Sequence, residues 1–302
     1  MNVFVAGGSG AIGIPLVRAL VAAGHQVTAL TRSSSKRDEL HALGASVAVA
    51  DALNREALIA AVEAAHPTHV IHQLTALPRG GPRRAGDLDA TNRLRIDGTR
   101  NLLEAAIHAG ARRFIVGSFA MLSTRAPGGP ASDDDAAAAV RSMERQVLEA
   151  TERGSIEGVI LRYGMFYGLQ TPSTVTMVDM VRKRRLPVTR GDAGQLPFIH
   201  VDDAVSATVR ALDLAAAGAA YDIVDDRAVS LTEIVEAIAE YTGSPAPLRV
   251  PAWLPRLVAP YLARMTSLRM PLSNARAKAE LGWQPQYSTI RDGLARMFQR
   301  AA

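Results

Sequence analysis

Residues 3–13 read VFVAGGSGAIG, and this segment constrains the chain more than any other. A short apolar run, three glycines spaced by three, and an apolar-periodic segment from Ile12 to Ala23 closed by Gly24 give the order strand, tight turn, helix. Such a turn brings backbone N–H groups and the positive end of a helix dipole to one point. That point suits a pyrophosphate, provided no side chain stands in the way. Gly7, Gly10 and Gly13 meet the condition, and Ser9, Ala11 and Ile12 complete the loop.

The pattern continues through the first half. Gln26–Leu30, Ser46–Ala50, Val70–Leu74, Phe114–Gly117 and Gly158–Arg162 read as strands. Asn54–Ala65, Leu88–Ala109 and Asp135–Arg153 read as helices between them, with Asn54 as an N-cap. Strands alternating with helices imply right-handed crossovers and an α/β, doubly wound parallel sheet of Rossmann type. After Gly164 prolines divide the chain into shorter elements. Residues 1–164 are therefore expected to form the dinucleotide-binding domain. Residues 165–302 are expected to form a smaller C-terminal substrate-binding lobe, with strands near Phe198 and Ile223 returning to the first sheet. Leu77–Gly86 (LPRGGPRRAG) reads as a loop over the ligand edge.

The second strand ends in Leu30-Thr31-Arg32-Ser33. A carboxylate there would hold the ribose hydroxyls of NAD, whereas arginine pairs with a 2′-phosphate. Thr31, Arg32 and Ser33, with Lys36 and Arg37 a turn later, point to NADP(H). Asp51 and Ala52 follow the third strand and are expected at the adenine edge.

The chain lacks cysteine, which excludes disulfides, thiolate catalysis and Cys-based zinc sites. No run is long and apolar enough to span a bilayer, and no basic leader precedes Val3. The net charge of +5 comes from scattered arginines without interleaved aromatics. Neither nucleic acid nor membrane is expected as a partner, and a cytoplasmic location is. The cluster Arg182-Lys183-Arg184-Arg185 reads as a solvated helix end. His66, His69 and His72 straddle Pro67 and diverge, so no metal site is expected. Asp133–Asp135 and Asp202-Asp203 read as helix caps.

These segments together resemble the extended short-chain dehydrogenase/reductase family, the NAD(P)-dependent epimerase/dehydratase group. The likeness rests on GGSGAIG at 7–13, VIHQLTA at 70–76, GTRNLLEAA at 98–106, LRYGMFYG at 161–168, FIHVDDA at 198–204 and ELGWQP at 280–285. It implies that Gln73, Leu74 and Thr75 border the cofactor ribose and that the C-terminal lobe binds a small-molecule substrate. It also implies a homodimer through the helices at 88–109 and 135–153. The departure is in the chemistry. The family uses a serine after the fifth strand and a Tyr-x-x-x-Lys on the next helix, where lysine lowers the tyrosine pKa. Here no tyrosine precedes Tyr163, and the lysines are Lys36, Lys183 and Lys278. Alignment puts Ala136 and Val140 in place of the pair, Phe119 near the serine place and Arg95 where an asparagine is usual. An NADP(H)-dependent reductase or epimerase-like enzyme with a non-standard site follows, reduction being the favoured direction. A non-catalytic NADP-binding sensor is the alternative. For the enzyme, Tyr163 and Tyr167 are candidate proton donors because they follow a strand's carboxyl end, with Ser118 as an orienting hydroxyl.

Overall fold

The computed structural model describes residues 1–78, 81–82, 84–123, 135–189, 194–251, 253–258, 263, 267–270 and 272–299. Strands β1 (Asn2–Ala6), β2 (Gln26–Thr31), β3 (Ser46–Val49), β4 (His69–His72), β5 (Arg113–Phe119), β6 (Glu157–Tyr163) and β10 (Ala220–Ile223) form a seven-stranded sheet. Its order is β10-β6-β5-β4-β1-β2-β3, and every pairing is parallel. This is the doubly wound arrangement, with β1 and β4 at the centre.

Alternation along β1 explains the two cores. Val3 and Val5 face α1 (Gly13–Ala22) and α9 (Val201–Leu214), while Phe4 and Ala6 face α3 (Arg55–Ala65), α5 (Thr99–His108) and α7 (Asp135–Glu152). All four side chains are fully buried, as a sheet covered on both faces requires. Asn54 caps α3 by accepting from the Ala57 N–H, and α1 ends at Gly24 with φ +80°.

The helix expected over Leu88–Ala109 is interrupted. A 3₁₀ turn (Ala85–Leu88) leads into α4 (Asp89–Arg93), a π turn covers Leu94–Gly98, and α5 follows. The π turn lies between two anchors to the sheet edge. Thr91 Oγ1 accepts from the Ala76 N–H, and Thr99 Oγ1 bonds His72 Nε2 at 2.9 Å.

Beyond Gly164 the strand near Ile223 returns to the main sheet as β10, but the strand near Phe198 does not. It is β9 (Phe198–His200), paired with β7 (Met165–Tyr167) in a separate ribbon. β8 (Val188–Thr189) pairs with β11 (Arg249–Val250). A separate core joins α8 (Pro172–Arg182), α10 (Leu231–Tyr241) and the helix Ile290–Gln299 through Val178, Ile234, Ile238 and Leu294. α9, Ala277, Leu281 and Trp283 pack on the first core instead, so the second half is shared between both units. The expected cap of α9 also differs. His200 caps it, accepting from the Asp202 N–H, and buried Asp203 accepts from the Gln286 and Tyr287 N–H groups, tying down the C-terminal segment. Asp133 and Asp134 lie outside the described residues.

Candidate active site

The loop after β1 is built around three glycines. Gly7 has φ +90°, and a Cβ on it would stand 2.7 Å from the Gln73 carbonyl oxygen. The Gly10 N–H donates to the Gly7 carbonyl at 3.0 Å, and the Ile14 N–H to Gly10 at 3.1 Å. A Cβ on Gly13 would collide with the Gly7 carbonyl oxygen and lie 2.6 Å from the Gly8 carbonyl carbon. Gly10 and Ala11 are exposed at the mouth, whereas Ile12 and Gly13 are buried beneath it. The turn is thus too tight for side chains at Gly7 and Gly13, it opens at exposed Gly10 and Ala11, and it leads into the N-terminus of α1, an arrangement that fits a dinucleotide pyrophosphate.

Neighbouring strand ends supply the remaining edge. Ser9 Oγ and Thr31 Oγ1 are 3.2 Å apart, and Thr31 Oγ1 also accepts from the Ser33 N–H. Arg32 is exposed, with no ion pair or hydrogen bond among the described residues. Asp51 caps its own turn by accepting from the Leu53 N–H, and the Ala52 carbonyl accepts from Asn101. Gln73 donates its backbone N–H to Ala6 and its amide to the Tyr163 hydroxyl. Leu74 is half-buried and Thr75 exposed. The register aligns Ala6 with Leu30 and His72, so these groups lie along one carboxyl edge. His72 is fully buried there. Burial pushes its pKa down to about 4, and the Arg95 charge acts in the same direction, so the imidazole is neutral.

The chemical side of the edge departs from sequence expectation. Ser118 is buried and donates to Glu144 Oε1 at 2.5 Å. Glu144 is also held bidentately by Arg162, at 3.0 and 2.6 Å. Ser118 therefore serves a lock between β5, β6 and α7. Tyr163 projects from the opposite face, where its hydroxyl bonds Thr208 and Gln73, and burial raises its pKa to about 12. Tyr167 lies in the core that joins α8 and α10, with its ring 5.0 Å from that of His200. Its hydroxyl donates to the Thr289 carbonyl at 3.4 Å, and burial raises its pKa strongly. Both tyrosines are only 3% exposed, and neither phenol opens on the edge that the glycine loop defines. Ala136 and Val140 instead form an apolar cluster with Leu88, Leu122 and Ala137, and half-buried Phe119 packs against it. Arg95 is buried in the π turn and donates to Asn92 Oδ1 at 3.3 Å.

Sequence reasoning missed two buried acids. An arginine inside an apolar strand (LRY at 161–163) was the available signal for Glu144. No pattern marked Asp225, which is buried with its carboxyl group facing the Tyr167 hydroxyl. Its pKa is raised to about 8, first by burial and then by neighbouring Asp203.

A doubly wound sheet with a phosphate-shaped glycine loop at its central carboxyl edge defines a nicotinamide-dinucleotide oxidoreductase or epimerase-like enzyme. The profile of the NAD dependent epimerase/dehydratase family matches residues 3–225, and the chain belongs to that family. It is 41% identical to a 3-diazoavenalumate denitrifying reductase from Streptomyces sp, over 98% of this chain and all of the other. Among solved structures it resembles UDP-glucose 4-epimerase of Thermus thermophilus in complex with NAD, with a TM-score of 0.78 at 24% identity, covering 99% and 98% of the two chains. It also resembles MoeE5 in complex with UDP-glucuronic acid and NAD, with a TM-score of 0.75 at 26% identity over the full length of both.

Proposed function

We propose that this chain is an NADPH-dependent reductase that passes hydride to a small molecule without a protein proton donor. The observation that carries the reading is that α7 offers no acid and no lysine where the family has them. Ala136 and Val140 stand where the family's acid and its lysine belong, and both are buried against Leu122 and Leu88. Bound NADPH supplies the hydride. Gly7, Ser9, Gly10, Ala11, Ile12 and Gly13 hold its pyrophosphate, Thr31, Arg32 and Ser33 its 2′-phosphate, Asp51 and Ala52 its adenine, and Gln73, Leu74 and Thr75 its ribose. Positioning alone then has to lower the barrier.

Carbonyl reduction fits such a site poorly, because the new alkoxide needs a proton, and a positioned acid contributes about 10²–10⁴-fold. A diazo compound fits well, and the 41% identical relative is a 3-diazoavenalumate denitrifying reductase. An arenediazonium takes hydride on its terminal nitrogen to give a neutral aryldiazene. The aryldiazene then gives its N–H proton to water, the C–N bond breaks as N₂ leaves, and the ring carbon takes a proton from water. The charges of hydride and diazonium cancel, so the hydride step itself needs no proton from a side chain. Irreversible loss of N₂ also accounts for a reduction-only site. Neither Tyr163 nor Tyr167 has a part in this scheme, and Ser118 acts only through the α7 lock. The same lack of an acid and a lysine would suit a sensor, but membership of an enzyme family replaces that alternative.

We also infer a homodimer. The groove between α5 and α7 presents Ile96, Leu103 and Ile107, with Ile96 and Ile107 37% and 38% exposed. A cytoplasmic location follows from the NADPH reading.

The test follows NADPH oxidation with an ortho-hydroxyarenediazonium, a ketone of similar shape and UDP-glucose. Diazonium should be consumed with one N₂ released per NADPH oxidised, and in deuterated water the product ring should carry deuterium at the carbon that bore nitrogen. The ketone should be slower by about a hundredfold or more. Tyr163→Phe and Tyr167→Phe should keep diazonium turnover within about threefold. Comparable ketone turnover, or epimerisation of the sugar nucleotide, would overturn the reading.

A further inference from the structure

The positive charge of the chain is not evenly spread. Residues 180–191 hold five Lys/Arg and residues 241–274 hold four, with no Asp or Glu in either segment. The rest of the chain carries 25 Lys/Arg against 29 Asp/Glu, so the net charge of +5 arises in these two segments alone. The fold joins them. β8 pairs with β11, and the Val188 N–H donates to the Leu248 carbonyl at 2.9 Å. Lys183 is paired with Asp179, and Arg249 with Glu236. Arg182, Arg184 and Arg185 are exposed, and their guanidinium groups have no ion pair or hydrogen bond among the described residues.

Large apolar side chains share this end of the molecule. Leu248 precedes β11 and is 51% exposed. Trp253 and Leu257 are 62% and 74% exposed in the helix α11 (Trp253–Val258). They are four residues apart and so lie on one helical face. Leaving a tryptophan and two leucines in water, on the segment that β11 joins to the arginine-rich one, has no folding benefit.

We propose that this surface docks on an anionic lipid bilayer, with Trp253, Leu248 and Leu257 entering the interface and Arg182, Arg184 and Arg185 meeting the headgroups. A tryptophan with flanking cations is the combination that an interfacial layer favours. A nucleic acid would use the arginines but would leave the leucines exposed. No helix among the described residues is long and apolar enough to cross a membrane, so the contact is peripheral. The expectation of no membrane partner rested on that absence and does not extend to a surface contact. The proposal stands apart from the diazo reading, since it uses none of the cofactor-edge residues.

The test is flotation of the full chain with vesicles of phosphatidylglycerol and phosphatidylcholine, beside vesicles of phosphatidylcholine alone. The chain has two tryptophans, and Trp283 is fully buried, so a blue shift of emission on the anionic vesicles reports Trp253. Each arginine near an anionic surface is worth about fivefold in partitioning, so Arg182→Gln/Arg184→Gln/Arg185→Gln together should weaken it about a hundredfold. Trp253→Ser/Leu257→Ser should weaken flotation on the anionic vesicles while the thermal stabilisation by NADPH is kept, which shows that the variant folds. No flotation, equal flotation on neutral vesicles, or flotation unchanged in both variants overturns the proposal. Binding to polyglutamate or duplex DNA without binding to vesicles overturns it as well and assigns the surface to a polyanion.

Discussion

Gly10 and Gly13 belong to one motif, but the structure separates their roles. A Cβ on Gly10 meets only the Gly7 carbonyl oxygen, at 3.2 Å, and Gly10 is not among the residues with positive φ. Gly10→Val therefore fits the fold after a shift of a few tenths of an ångström, and its methyl groups stand in the mouth where the pyrophosphate would lie. A Cβ on Gly13 is 2.6 Å from the Gly8 carbonyl carbon and clashes with the Gly7 oxygen, both of them backbone. Overpacking of this kind costs about 1–3 kcal/mol. At roughly 2–4 °C per kcal/mol, Gly13→Ala should lower Tm by roughly 2–12 °C. NADPH at a hundred times its Kd stabilises wild type by about 2.7 kcal/mol, or roughly 5–11 °C. Differential scanning fluorimetry with and without NADPH separates the two cases. Gly10→Val should melt within about 2 °C of wild type and show no NADPH shift. Gly13→Ala should melt early whether or not NADPH is present. A full NADPH shift in Gly10→Val would refute the phosphate loop, and an unchanged Tm in Gly13→Ala would refute the packing argument.

Arg32→Ala should weaken NADPH by about tenfold or more and leave NADH nearly unchanged, since a charge-assisted contact is worth roughly 1.5–3 kcal/mol; equal wild-type affinities for both cofactors in a titration would remove the NADP assignment. Light scattering at micromolar concentration should give twice the chain mass, and Ile107→Glu should halve it; a wild-type monomer removes the homodimer. Asp225, with its pKa raised to about 8 in the fold, ionises near 4 when unfolded. The folded state binds that proton more tightly, so stability is full below about pH 4 and falls towards about pH 8, by about 1.4 kcal/mol per unit. Asp225→Asn should flatten that decline in Tm, and parallel wild-type and variant profiles would show that Asp225 is not the cause.

Much of this architecture is written locally. Apolar runs fix the parallel strands, because a sheet buried on both faces needs little else. Asn54 and Gly24 mark helix ends by their own backbone chemistry. What the sequence hides depends on partners far along the chain. The ribbon of β7 and β9 looks like sheet pairing from Phe198 alone, and becomes separate only because Met165 N–H bonds Pro197. Asp203 reads as a helix cap until the 286–287 backbone arrives to take it. Tyr163 follows from position as a candidate acid, but its direction depends on Gly117, where a Cβ would stand 2.9 Å from the tyrosine ring. The cofactor loop is legible because its requirements are backbone requirements. The chemical surface is less so, because Ala136 and Val140 acquire meaning only beside Leu88 and Leu122.

Those two residues also decide whether the missing pair is decay or replacement. A decayed site keeps gaps or stray polar groups, but here Val140 and Ala136 are buried to within 1% and packed. Meanwhile the next turn of α7 keeps Glu144, bonded by Ser118 and Arg162. Breaking a buried pair of this kind costs about 3–5 kcal/mol, so α7 stays held to β5 and β6 although its site face has lost all polarity. The double variant Ala136→Tyr/Val140→Lys restores the family pair and separates the two histories. If the apolar face is functional, the lysine enters a cluster of Leu88, Leu122, Ala137 and Phe119 and must be desolvated there at a cost of several kcal/mol. Tm and diazonium reduction should then both fall, with no gain in ketone reduction. A variant that keeps its Tm and reduces ketones would mean that the pair was simply lost and that the apolar surface has no task of its own.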